Sequence, residues 1–132
     1  MGTKANLEAQ RRRLITNKKK GAKYEQDLAE YFTRALDLLV ERRRLMGNED
    51  RGDLAGMPGM VIEAKNVKTL NVNGWMREAE VERANDAAHT GRYTLAAVIR
   101  RTPGKPEVQD SVVMLDMATF TELYRAWAGI KP

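Results

Sequence analysis

The segment Gly52-Asp53-Leu54-Ala55-Gly56-Met57-Pro58-Gly59-Met60-Val61-Ile62-Glu63-Ala64-Lys65-Asn66 places the tightest constraint on the fold. It is mostly apolar, and Pro58-Gly59 interrupts it, so it reads as two strands, 53–56 and 60–66, joined by a tight turn. A three-residue loop with Gly59 in the left-handed conformation would pair Gly56 with Met60, Leu54 with Ile62 and Asp53 with Glu63. Alternate strand residues share a face, and opposed residues stand about 5 Å apart. Leu54, Ile62 and Ala64 are then expected to face a helix-covered core, while Asp53, Glu63 and Lys65 gather on the opposite side. An unpaired buried ion costs several kcal/mol, and neighbouring carboxylates raise one another's proton affinity. Either these charges sit at an open rim or they hold something, and a divalent cation is the species that relieves the repulsion.

The remaining chain supplies helices and a central strand. Tyr24, Leu28, Tyr31, Phe32, Ala35 and Leu39 recur at helical spacing and predict a helix over 22–40. Residues 41–46 read as a first strand and 47–52 as a polar loop. Asn71 or Asn73 can cap a helix ending near His89, with Gly91 as its stop. The apolar run 93–100 reads as a strand covered on both faces. A loop over 102–107, a strand over 111–115 and a helix capped by Asp116 and ended by Gly129 complete the pattern. The order is helix, three strands, helix, strand, strand, helix, which is a mixed sheet flanked by helices.

Length and charge narrow the partners. The 132 residues suit one domain, 21–132, preceded by a basic arm over 1–20 that is either disordered or helical in part over 7–15. With 0 cysteines and 1 histidine, thiolate and histidine-rich metal sites are excluded, so a metal would need carboxylate oxygens. No apolar run approaches the ~20 residues that span a bilayer, and residues 1–23 lack the apolar middle of a secretory signal, so a cytoplasmic location is expected. The net charge of +5 suits a polyanion. Arg11, Arg12, Arg13, Lys18, Lys19, Lys20 and Lys23 cluster early, and Arg42, Arg43 and Arg44 follow the first helix. These cations and Arg51 are the candidate phosphate contacts.

Asp53 followed by Glu63-Ala64-Lys65 resembles the signature of the PD-(D/E)xK nuclease superfamily, with Gly52-Asp53 standing for its Pro-Asp. Lys20-Gly21-Ala22-Lys23-Tyr24-Glu25-Gln26-Asp27-Leu28 resembles the K-G-x-x-x-E-x-x-L opening of archaeal-type Holliday junction resolvases. The resemblance covers roughly residues 20–100. It implies a restriction-endonuclease-like α-β-β-β-α-β core, here extended by a further strand and a C-terminal helix. It also implies a magnesium-dependent endonuclease, with manganese as a substitute, acting on branched DNA such as four-way junctions, and a two-fold homodimer. Asp53, Glu63 and the Ala64 carbonyl would ligate the metal. Glu25 would reach it directly or through water, and Lys65 would orient or deprotonate the attacking water or stabilise phosphate charge. The resolvases carry a loop serine near the site, and the loop 47–51 holds none. A nicking, restriction-like or repair nuclease, a non-catalytic DNA-binding protein and a basic partner-binding protein remain alternatives.

Other residues carry weaker expectations. Glu80 is a possible helper on the second helix, although a solvated flank is the better account, and Glu78 and Glu82 are expected to point outward. His89 sits where an imidazole can bond helix-end carbonyls. Trp75 and Trp127 read as core or interface anchors, and Arg51 reads equally as a phosphate contact or half of an Arg–Asp pair.

Overall fold

The computed structural model describes residues 3–44 and 49–132. Its elements are α1 (Lys4–Leu36), β1 (Glu41–Arg42), β2 (Leu54–Ala55), β3 (Met60–Lys65), α2 (Val72–Thr90), β4 (Leu95–Arg100), a 3-10 turn (Val108–Asp110), β5 (Val112–Met114) and α3 (Met117–Ala128). The chain is α/β, with the element order that the sequence predicts. β3 and β4 run parallel, connected through α2, and β5 adds antiparallel to β4. β1 and β2 form a separate antiparallel pair, with Glu41 opposite Ala55 and Arg42 opposite Leu54.

Strand alternation builds two apolar layers. Ile62 of β3 and Ala97 and Ile99 of β4 pack with Tyr24, Leu28 and Ala29 of α1, joined by Val40 and Leu54. Val61 of β3 and Ala96 and Val98 of β4 pack on the other face with Trp75 and Ala79 of α2. β4 lies between β3 and β5 and is covered on both sides, which is why its sequence is nearly continuously apolar. The caps are as the sequence predicts. The Asn71 side chain accepts from the Gly74 amide at 3.2 Å and Asp116 from the Thr119 amide at 2.7 Å, while Gly91 and Gly129 end their helices in the left-handed conformation.

Three local expectations are corrected. Residues 4–20 do not form a separate irregular arm: α1 passes through Gly21 without a break. A mid-helix glycine costs only about 1 kcal/mol against alanine, and strong helix formers flank it here. The helix ends at Leu36 rather than near 40, because Asp37 takes the left-handed conformation (φ 53°). Finally, β2 does not form the full hairpin ladder with β3. The join consists of the Asp53 amide donating to the Ile62 carbonyl at 2.8 Å and the Met60 amide donating to the Met57 carbonyl at 3.1 Å. Positive φ at Gly52 (96°) and Gly56 (102°) turns β2 away at both ends. A Cβ at Gly56 would strike the Leu39 carbonyl oxygen, so the chain there lies against the segment leading into β1. Of the expected strand 41–46, Glu41–Arg42 form β1 and the Arg43 amide donates to the Asp53 carbonyl at 2.8 Å, while residues 45–48 lie outside the described residues.

Candidate metal centre

Asp53 stands just before β2, and its Oδ2 accepts from the Ala64 amide at 2.7 Å. That bond ties the aspartate to the strand that carries Glu63 and Lys65 without a complete hairpin. Burial pushes Asp53 up to about 6; the Ala64 amide opposes this, and the charges of Glu25 and Asp50 add to it.

Glu63 follows Val61 on the α2 face of the sheet, and α2 covers it to 5% exposure. Burial, the adjoining Glu82 carboxyl and the charge of Asp53 raise its pKa far above the carboxylate range, against the pull of Lys65. Glu82 is 1% exposed, and burial pushes it up to about 7. The sequence reading placed this residue outward, and the structure corrects it. The inward face of α2 is Trp75, Ala79, Glu82 and Asp86, spaced i, i+4, i+7, i+11. Two acids on that stripe disguise it. Phasing the helix from Trp75, the strongest apolar anchor, would have found them.

Carboxyl oxygens of Glu63, Glu78 and Glu82 all lie within 4.8 Å of one another. Lys65 Nζ bridges two of them, 3.2 Å from Glu63 Oε1 and 3.0 Å from Glu78 Oε2, and stands 6.0 Å from the centre of the Trp75 ring. Burial works against the lysine's charge, but Glu78 and Glu63 outweigh it and its pKa is raised. Three buried acceptors remain without a donor among the described residues: Glu63 Oε2 and both oxygens of Glu82. One proton shared between Glu63 and Glu82 would satisfy a single pair of these atoms and leave the third bare.

Glu25 borders a groove of about 820 Å³ with Arg42, Arg43, Asp50, Gly52 and Asp53. Its Oε2, however, is held by Arg42 Nε at 3.0 Å. Another groove, of about 510 Å³, runs between α1 and the 3-10 turn, and none of its lining acids is buried.

The candidate phosphate contacts divide into two groups. Arg11, Arg12, Arg13, Lys18, Lys19 and Lys20 are exposed along the N-terminal half of α1, and Arg44 is exposed beyond β1. Lys23 pairs with Asp27 at 3.1 Å, and Arg42 with Glu25. Arg51 is committed inward, donating to Asp86 Oδ1 at 2.7 Å, while Asp86 Oδ2 accepts from the Thr94 hydroxyl at 3.3 Å. Of its two predicted readings, the Arg–Asp pair is the one present. Arg43 is half-buried beside Arg51. Glu80 is exposed and bonded to Arg83, the solvated flank that the sequence favours, and His89 is exposed at the end of α2. Trp75 is core, whereas Trp127 is 88% exposed. No helix among the described residues is long and apolar enough to cross a membrane.

The chain matches no family model, no curated protein and no solved structure.

Proposed function

We propose that the chain is a magnesium-dependent endonuclease of restriction-endonuclease-like fold, with branched DNA as its substrate and four-way junctions as the preferred form. The convergence of Asp53, Glu63 and Lys65 carries this reading. They come from two segments that the bond from the Ala64 amide to Asp53 ties together, and they set more carboxyl groups at one place than Lys65 alone can pair. Oxygen donors of this kind suit magnesium or manganese. A divalent cation held by Asp53, Glu63 and the Ala64 carbonyl would neutralise these acids and stabilise charge developing on a phosphodiester.

The chain's own groups divide the remaining work. The Ala64 amide fixes the Asp53 carboxylate. Glu78 and Glu63 keep Lys65 charged and aimed. A lysine with a raised pKa is a poor base at neutral pH, so Lys65 orients the attacking water or faces the phosphate as an ammonium. Arg42 and Arg43 flank the groove, and the exposed cations of α1 hold the nucleic-acid backbone, with affinity that falls as salt rises.

The same reading takes a second copy of the chain as partner, since a symmetric junction requires two cuts. A surface of suitable size is present on α3. Met117, Phe120, Leu123, Tyr124 and Trp127 form one stripe, continued by Ile130, with exposures from 36% to 88%. Weighted by ordinary side-chain areas this is roughly 800 Å², one partner's share of a standard interface. About the point between Leu123 and Tyr124 the stripe is self-complementary: an antiparallel copy sets Phe120 against Trp127.

The test is cleavage of labelled four-way junction, flap and duplex in magnesium. Asp53→Asn is expected to lower the rate at least ~1000-fold while junction binding in calcium persists. Unchanged cleavage by this variant overturns the proposal. Faster cutting of flap or duplex than of the junction keeps the nuclease and changes its substrate.

A further inference from the structure

We propose that Glu82 of α2, rather than Glu25 of α1, is the third carboxylate of the divalent-cation site with Asp53 and Glu63. This rests on the metal-dependent reading above and departs from the assignment that the N-terminal motif suggests.

Three observations separate the two glutamates. The first is the state of their oxygens. Glu25 is partly exposed and held by Arg42 at 3.0 Å, so its charge is already answered. Glu82 is 1% exposed, and neither of its oxygens has a donor among the described residues. The second is position. A Glu82 oxygen lies within 4.8 Å of carboxyl oxygens of Glu63 and Glu78; among the described residues neither Glu25 nor Asp53 belongs to that group, but Asp53 is tied to the Glu63 strand by its 2.7 Å bond from the Ala64 amide, and Glu25 has no such tie. The third is chemistry. Lys65 takes Glu63 Oε1 and a Glu78 oxygen, and this leaves Glu63 Oε2 and both Glu82 oxygens as the unanswered set. A leucine at position 82 would satisfy the inward stripe of α2 at no electrostatic cost. A carboxylate kept there without a donor works against folding. A hard dication answers all three oxygens together, and a shared proton does not. Glu78, half-exposed and held by Lys65, positions that lysine instead of ligating.

Binding of manganese to the full chain, followed by calorimetry and by thermal melting, tests the assignment without reference to cleavage. Wild type is expected to bind and to melt higher with the ion. Glu82→Gln is expected to weaken binding at least ~100-fold, beyond the ~10–100-fold typical of residues that only orient ligands. It should abolish the ion-induced rise in melting temperature, yet melt no lower than wild type in EDTA. Glu25→Gln should bind within threefold of wild type. Glu82→Asp, which keeps the charge but withdraws the oxygens by one methylene, should weaken binding ~10-fold, and this arm decides the matter if Glu82→Gln fails to fold. Wild-type affinity in Glu82→Gln or in Glu82→Asp overturns the proposal, as does loss of binding in Glu25→Gln. If Asp53→Asn alone abolishes binding, the nuclease reading stands and this inference falls. If wild type binds no manganese, both fall.

Discussion

The α2 face of the sheet and the outer face of α3 depart from ordinary sorting in opposite directions. α2 turns Glu82 and Asp86 inward with Trp75 and Ala79, so half of its buried stripe is acidic. α3 turns Phe120, Tyr124 and Trp127 outward, with the last 88% exposed, and buries Thr119. Scattered exposed apolar residues are normal, but a continuous stripe is not. Buried acids are rare unless they are paired. Each region thus has a surplus that the chain alone does not answer, and the chemistry of the surplus indicates what would answer it: charge for the first, apolar area for the second.

The largest expected effect lies on the apolar side. Trp127→Glu puts a charge at the most exposed point of the stripe and should weaken self-association at least ~100-fold, measured by light scattering over a dilution series. Manganese binding at the acid site should be unchanged. A wild-type chain that stays monomeric throughout would remove the proposed occupant of this face and leave the contrast with α2 one-sided.

Next in size is the acid that does have a partner. Asp86 is 7% exposed and is held by Arg51 and Thr94. Arg51→Ala strands it. Breaking a buried pair costs ~3–5 kcal/mol, and partial exposure of Arg51 reduces this to ~2–3 kcal/mol in urea denaturation. Glu82→Gln in EDTA should cost nothing by the same measurement. Equal losses would show that Glu82 has a partner of its own.

The pH dependence sharpens the same point. Asp53 is pushed up to about 6 and Glu82 to about 7, both chiefly by burial. Ordinary unfolded carboxyls titrate near 4. Between these values the folded chain without metal holds protons that the unfolded chain has released. Stability is therefore greatest below pH ~4 as far as these groups act, and it falls as pH rises through 6 and 7. The slope is up to ~1.4 kcal/mol per unit for each group. Urea denaturation in EDTA should show lower stability at pH 8 than at pH 5. Manganese should remove the difference, and Glu82→Gln should reduce it. A flat profile would mean that these acids are not buried together.

Much of this was readable in the residues, and what was not has physical causes. The element order, the four caps and the central strand follow from periodicity and from Asn71, Asp116, Gly91 and Gly129, because those signals are local. That Asp53 is tied to the strand carrying Glu63 was also readable, although through a side-chain bond to the Ala64 amide instead of the predicted ladder. The arm is helical over more than the expected 7–15 because favourable residues and a start at Thr3 carry the helix through Gly21 into the packed part of α1. Glu82 was hidden because an inward acid breaks the apolar pattern by which inward faces are found. The commitments of Arg42 and Arg51 depend on contacts 17 and 35 residues away in sequence, which spacing cannot reveal.

The smallest effect compares two acids on one helix. Glu80 and Glu82 differ by two positions, which turns them about 200° apart around α2. Glu80 faces water and accepts from Arg83 at 2.7 Å, and that bond holds its pKa below the usual value. An exposed pair of this kind is worth ~0–1 kcal/mol. Glu80→Gln should therefore change stability by no more than ~0.5 kcal/mol, leave manganese affinity within twofold and leave the pH profile unaltered. Glu82→Gln, with the identical chemical change, should lose the ion and flatten the profile. If the two substitutions behaved alike, the electrostatic cause would lie in the helix's overall charge and not in the burial of Glu82, because charge is the one property that both replacements remove equally.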